Sequence, residues 1–133
     1  MAFYRTREGA LTAADSFTSL GSLYGQSTTA SIQIPKQASS IVGIIATVSS
    51  DSATNGATTF AVQLSGDGLS QGQETMVVGS QGVDGTPASN GATNLPFALD
   101  VVIPVVGSNQ VSVAMAMDTD VGTCSCAVTL VFA

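Results

Sequence analysis

The sequence lacks histidine and tryptophan, and its 133 residues include only two cysteines. Without histidine, neither a Ser-His-Asp nor a Cys-His nucleophile can form within one chain. A zinc site built on two cysteines would need two further ligands that the chain does not offer. Most aspartates stand in Gly-containing turn segments, where turn geometry accounts for them without a role in catalysis. We therefore expect no enzymatic activity.

Charge is also scarce. Charged residues make up 9% of the chain, whereas an ordinary soluble domain has about 25%. The basic residues number three, Arg5, Arg7 and Lys36, and the net charge is −6. Because binding to nucleic acid requires several cations that contact phosphates, we expect no sequence-specific nucleic-acid binding.

Long apolar runs are absent too. The longest candidate, residues 41–48, is interrupted by Gly43 and is too short to cross a bilayer. The first residues include Arg5 and Arg7 but no apolar segment after them, so no secretory signal is expected. The sequence thus predicts a chain without a transmembrane segment that acts in the producing cell or leaves it by lysis or another non-secretory route.

What the chain does contain is alternation of apolar and polar residues, the pattern of half-buried strands. Seven stretches are predicted as strands: 31–34, 40–50, 59–64, 73–78, 97–103, 111–117 and 124–132. Residues 13–24 are predicted to supply an eighth strand or a short helix. The larger inward side chains are expected to be buried, namely Phe60, Leu64, Leu99, Ile103, Val113, Leu130 and Phe132.

Seven or eight short strands separated by turns predict an all-β, single-domain antiparallel fold, a β-sandwich or barrel, and we adopt the sandwich. The sandwich is assigned to residues 28–133, and residues 1–27 are interpreted as an N-terminal arm that lies on its own sandwich or on a neighbour's. The arm residues proposed for assembly are Phe3, Tyr4, Arg5, Arg7, Leu11 and Phe17.

The two cysteines share one face of the last predicted strand. Cys124 and Cys126 would have Cα atoms about 6.6 Å apart with parallel side chains, which is unfavourable for a disulfide. We expect buried, reduced thiols that act as small apolar side chains.

A calcium site is the one cofactor hypothesis that the residues allow. Asp118 and Asp120 in the DTDVG segment, joined by Asp67 or Asp84, are oxygen ligands on flexible loops of the kind that Ca²⁺ binds. Turn geometry explains the same aspartates without a metal. The interpretation adopted is therefore no cofactor, and Asp118, Asp120 and Asp67 are kept as calcium candidates.

A surface rich in Ser, Thr, Gly, Ala and Gln costs little to desolvate, which suits packing against copies of the same chain. The first hypothesis is therefore a structural self-assembly subunit. Two alternatives remain open: a filament or pilus-type subunit in which the arm completes the next subunit as a donor strand, located outside the cell, and a monomeric binding module.

Four runs carry a resemblance to a known family: ASIQIPKQASSIVGIIATVSS, TTFAVQLSGDG, LPFALDVVIPVVGSNQVSVAMAM and CAVTLVFA. Their strand rhythm and composition resemble viral single jelly-roll coat proteins, over residues 30–133. The resemblance implies a β-sandwich of the jelly-roll type, with two four-stranded sheets joined by Greek-key links. It also implies a capsid, coat, penton or decoration subunit that contacts its own copies and other shell proteins in a virion assembled in the host cytoplasm. Since the arm offers only Arg5 and Arg7, partly offset by Glu8, an outer or minor shell role, or a coat around an internal vesicle, is favoured over condensation of a genome.

Overall fold

The computed structural model describes residues 1–21, 30–50, 56–83, 95–120 and 122–133, and within these ranges the chain is built from strands and turns. No helix in this described part has the length and apolarity that a membrane span requires. The strands are β1 (Phe3–Leu11), β2 (Thr18–Ser19), β3 (Ile32–Gln33), β4 (Ser40–Ser50), β5 (Gly56–Ser65), β6 (Glu74–Val83), β7 (Leu95–Pro104), β8 (Gln110–Met117) and β9 (Cys124–Phe132).

The strands form two antiparallel sheets. The first has the order β1-β9-β4-β7; the second has the order β2-β8-β5-β6, with β3 also paired to β8. The paired strands are nested in sequence: β1 pairs with β9, β2 and β3 with β8, β4 with β7, and β5 with β6. A long antiparallel ribbon folded over on itself has this nesting, which is the jelly-roll arrangement. Because β2 and β3 lie along the same edge of β8, nine strands occupy eight positions. The predicted fold class is confirmed.

The core lies between the sheets and takes alternate residues from each strand. On β8 the buried side chains include Val111, Val113, Met115 and Met117, and on β9 every second residue from Cys124 to Phe132 is buried. Six of the seven predicted core residues are buried: Phe60, Leu64, Ile103, Val113, Leu130 and Phe132. Leu99 is the exception, since it is half-buried and packs against the margin of the core. It lies on β7, an edge strand that only β4 flanks.

The first strand, β1, is one that the alternation pattern does not predict. It lies within the segment interpreted as an arm, and it pairs with β9 over nine residues, from Phe3 opposite Phe132 to Leu11 opposite Cys124. All of β1 is therefore part of the first sheet. How the arm relates to other copies stays a prediction.

The rest of the arm is described as far as residue 21. Residues 13–21 contain β2 and no helix, so the described part of the 13–24 segment follows the strand alternative. Leu20 is fully buried, and its backbone N–H donates to the carbonyl oxygen of Val113 on β8. Residues 22–27 lie outside the described residues.

Candidate functional site

The outer face of the second sheet carries no charged side chain among the described strand residues. Register and alternation place ten residues of β5, β6 and β8 on this face: Thr59, Ala61, Gln63, Ser65, Thr75, Val77, Ser80, Ser112, Ala114 and Ala116. Polar side chains on neighbouring strands form hydrogen bonds, and the hydroxyl oxygens of Thr59 and Ser80 are 2.9 Å apart. Val77 is 61% exposed at the edge. We call this surface the neutral face; little charge or side-chain entropy would be lost when it is covered.

The outer face of the first sheet is less uniform. Its strands place Glu8 and Asp100 among uncharged residues, so two carboxylates interrupt it. Exposed apolar side chains also occur there, with Tyr4 at 61% and Val102 at 81%. Covering this face would require those carboxylates to find partners or to keep access to water.

A basic pocket opens where the edge strand β1 of one sheet faces β3 of the other. It has a volume of about 410 Å³, and its lining includes all three cations of the sequence. Arg5 and Arg7 reach it because they are opposite the buried residues Leu130 and Val128 of β9, on the inward side of β1. Its lining residues are Arg5, Arg7, Ile32, Gln33, Ile34, Pro35, Lys36 and Ser108.

Arg7 connects the two sides of this pocket through hydrogen bonds. Its Nη2 donates to the carbonyl oxygen of Ser31 at 3.1 Å, just before β3, and its Nη1 donates to the carbonyl oxygen of Thr6 at 2.8 Å. The Nε of Arg7 is buried and has no hydrogen-bond acceptor within the described part of the chain. Burial lowers the pKa of Arg7, and the nearby charge of Arg5 lowers it further. The pocket therefore holds positive charge that lacks full compensation.

Each of the three aspartates kept as calcium candidates accepts a hydrogen bond from a backbone N–H. Asp118 Oδ1 accepts hydrogen bonds from the Thr59 backbone N–H at 2.8 Å and the Thr58 hydroxyl at 3.0 Å. These hydrogen bonds lower the pKa of Asp118, the backbone one contributing most. Asp120 Oδ1 accepts from the Gly122 N–H at 2.9 Å.

Asp67 is not brought near the other two aspartates. Its Oδ1 accepts from the backbone N–H of Gln110, at the start of β8, whereas Asp118 follows the end of the same strand. Eight residues of extended chain span about 26 Å. In the described ranges no three potential metal ligands come together, and Asp84 lies outside those ranges. Calcium binding by Asp118 and Asp120 stays an untested alternative to the adopted interpretation of no cofactor.

Both cysteines are buried thiols outside any disulfide, as their position on β9 predicts. Cys124 Sγ lies 3.9 Å from Met117 Sδ, and its exposed fraction is zero. Burial, together with the neighbouring Cys124, raises the pKa of Cys126 to about 12. At neutral pH Cys126 is therefore a protonated core residue with little nucleophilic character.

The residues proposed for an assembly arm divide between the interior and the surface. Leu11 is buried and Phe3 packs against the core margin. Tyr4 and Phe17 are exposed, at 61% and 42%. Arg5 and Arg7 line the basic pocket, together with Lys36, which sequence reasoning did not select. The spacing of Arg5 and Arg7 puts both on one strand face, but nothing in the sequence relates them to Lys36.

Comparisons with known proteins locate the fold among solved structures. No protein-family model matches the chain, and no curated protein is significantly similar to it. Dimeric latent PorU from Porphyromonas gingivalis is similar in structure, with a TM-score of 0.60 and 8% identity, over 98% of this chain and 12% of that one.

Infectious bursal disease virus provides two further similar structures. The VP2 subviral particle has a TM-score of 0.52 and 11% identity, over 99% of this chain and 32% of that one. The Gx strain structure has a TM-score of 0.51 and 12% identity, over 99% and 31%. The chain thus spans about a third of these viral chains and about an eighth of PorU. At these identities the likeness shows the fold alone, a jelly-roll β-sandwich.

Proposed function

We propose that this chain is a structural subunit of a viral shell, a coat or minor capsid protein, that assembles through its neutral face. The observation that carries the proposal is that ten strand residues of one sheet form an outer face without charge. A monomeric domain usually intersperses Lys and Glu over such a surface. Val77 adds an exposed apolar side chain at the edge of this face.

The likeness to VP2 of infectious bursal disease virus supports the shell assignment, since that protein is seen in a subviral particle with the same kind of sandwich. In this proposal the chain contacts its own copies and other shell proteins, catalyses no reaction, and is located in virions assembled in the host cytoplasm. The scarcity of basic residues favours an outer or minor position in the shell, away from a condensed genome.

The test replaces Val77 by glutamate. A carboxylate buried within a desolvated contact is costly, so V77E is expected to weaken assembly through the neutral face strongly, while the exposed position of Val77 leaves the fold intact. The matched control is V102E, because Val102 is a valine on an edge strand of the other sheet and is even more exposed than Val77, at 81% against 61%. It should assemble like the wild type.

The readout is sedimentation velocity combined with negative-stain electron microscopy over a range of protein concentrations. Rings, capsomers or closed shells from the wild type and V102E, with V77E at the monomer mass of 13.3 kDa, support the proposal. Fibres would favour the filament subunit. A wild-type chain that stays a 13.3 kDa species at high concentration would contradict self-assembly and favour the binding module.

A further inference from the structure

The basic pocket concentrates all the positive side-chain charge of an acidic chain. The sequence has nine carboxylates and three cations, and the three cations line one pocket whose lining residues include no Asp or Glu. Arg5 and Arg7 donate to backbone carbonyl oxygens of Tyr4, Thr6 and Ser31. Guanidinium groups form their strongest hydrogen bonds with carboxylates and phosphates, so the pocket is suited to an anion from outside the molecule.

Arg7 supplies a second, independent sign of an incomplete site. Its Nε–H is buried and finds no acceptor in the described residues. Buried donors are satisfied in the great majority of native structures, and an exception calls for an absent partner. The lowered pKa of Arg7, caused by burial and by Arg5, agrees with a shortage of negative charge here.

The chain itself carries matching carboxylates at the opposite end of β8. Asp118, Thr119 and Asp120, which we call the acidic loop, follow Met117 and are exposed. The pocket lies near Ser108 and Gln33, at the start of β8, where Gln33 is paired with Gln110. Since extended strand rises about 3.3 Å per residue, the loop is about 25 Å from the pocket of its own molecule and cannot reach it.

We propose that the basic pocket of one copy binds the acidic loop of a second copy. The charges are complementary: Arg5 and Arg7 lie on the same side of β1, and the exposed acidic loop carries two carboxylates. Pocket and loop are different surfaces, so the contact is head-to-tail and propagates from copy to copy, giving a ring or shell where the rotation closes and a filament where it does not. This inference rests on the proposed self-assembly and adds a second, charge-dependent contact to the neutral face.

The experiment reverses charge on each side of the contact. R5E combined with K36E removes two exposed cations and leaves Arg7 with its bond to Ser31. D120K reverses the exposed carboxylate of the loop. Each variant is expected to raise the concentration needed for assembly about tenfold or more at low salt, because like charges then oppose each other at the contact. The triple variant, R5E/K36E/D120K, should recover assembly.

Sedimentation velocity at salt concentrations from roughly 0.05 M to roughly 0.5 M provides the readout, since screening weakens a charged contact and leaves the neutral face largely unaffected. The wild type should require more protein at higher salt, and R5E/K36E should lose most of that dependence. D100K is the control, because Asp100 is an exposed carboxylate remote from both surfaces; it should behave as wild type. Thermal unfolding of every variant verifies the fold.

The outcomes separate the two proposals. If the wild type assembles, V77E blocks assembly and the charge variants assemble normally, the pocket–loop contact is wrong while the proposed function stands. If R5E/K36E fails to assemble but D120K assembles normally, or if the triple variant does not recover, the anion in the pocket is not the acidic loop and the inference is overturned. A monomeric wild type overturns both.

Discussion

Gly79 shows how one residue governs the closure of the sandwich. It lies on β6, and a Cβ placed there would overlap the Phe97 ring of β7 in the other sheet. The Phe97 ring in turn packs on Phe60, with ring centroids 6.3 Å apart. The absent side chain therefore lets the two edge strands approach and lets this aromatic pair fill the end of the core.

We predict that G79A lowers the free energy of unfolding by about 1–3 kcal/mol, because the added methyl group must displace a packed ring. G21A is the control, since a Cβ at Gly21 meets no atom within 4 Å; its effect should stay within about 0.5 kcal/mol. Urea denaturation of the three proteins measures the difference. Equal midpoints for G79A and the wild type would mean that Phe97 can move without cost.

Cys126 makes stability sensitive to alkaline pH. Its pKa is raised to about 12 in the folded chain, whereas an unfolded cysteine titrates at about 8.5. Between these two pH values the unfolded chain loses the Cys126 proton before the folded chain does. The contribution of Cys126 to stability is therefore complete below about pH 8.5 and is lost progressively above it.

We therefore predict that the free energy of unfolding falls by about 1 kcal/mol per pH unit between about pH 9 and about pH 11, and that C126A reduces this slope. Denaturation at several pH values, with reductant present, tests it. In native protein at about pH 8, neither thiol should react with a thiol reagent, because both are buried. An unchanged slope in C126A would assign the alkaline effect to other groups.

At the scale of the element, β1 determines whether the N-terminal segment contributes to the stability of its own sandwich. It covers the edge of β9 along nine residues, and Thr6 Oγ1 lies 2.8 Å from Thr129 Oγ1 across the pair. Leu11 adds a fully buried side chain at its end. Because β1 covers the edge of β9, it belongs to the folding unit, even though the sequence pattern of this segment indicates an arm.

Deleting residues 1–12 is expected to lower the melting temperature and to cause aggregation, because β9 would become an exposed edge with free backbone donors and acceptors. Circular dichroism melting and light scattering measure this. Y4A is the control, because Tyr4 belongs to the same strand and is 61% exposed; it should melt as wild type. A truncated chain that melts normally yet no longer assembles would instead establish the segment as a donor arm.

Local alternation predicts the long strands and misses β1 for a definite reason. The inward positions of β4, β5, β8 and β9 are mostly apolar, with the buried Thr58 of β5 as an exception, so their period is visible in the sequence. The inward positions of β1 are Phe3, Arg5, Arg7, Gly9 and Leu11, in which charge and glycine hide the period. The guanidinium groups are tolerated there because β1 is an edge strand, whose inward side opens at the margin of the sandwich.

At the scale of the whole molecule, charge is distributed unevenly over a neutral framework. One sheet presents the neutral face, the β1–β3 edge presents the basic pocket, and the end of β8 presents the acidic loop. Each surface is suited to a different kind of contact: uncharged packing on the face, and the proposed salt-sensitive pairing between pocket and loop. In the proposed shell, assembly through both contacts would depend on ionic strength.

The sequence by itself determined that the chain is all-β, which long strands it contains, which side of them is buried, and that the cysteines are core residues. These are local properties, because alternation and turn residues act within a few positions of one another. The tertiary structure alone decided that β1 joins the sheet, that Leu99 lies at a margin, and that Arg5, Arg7 and Lys36 meet. Those outcomes depend on which strands become neighbours, and hydrogen-bonded pairing between residues as distant as Phe3 and Phe132 leaves no mark in local periodicity.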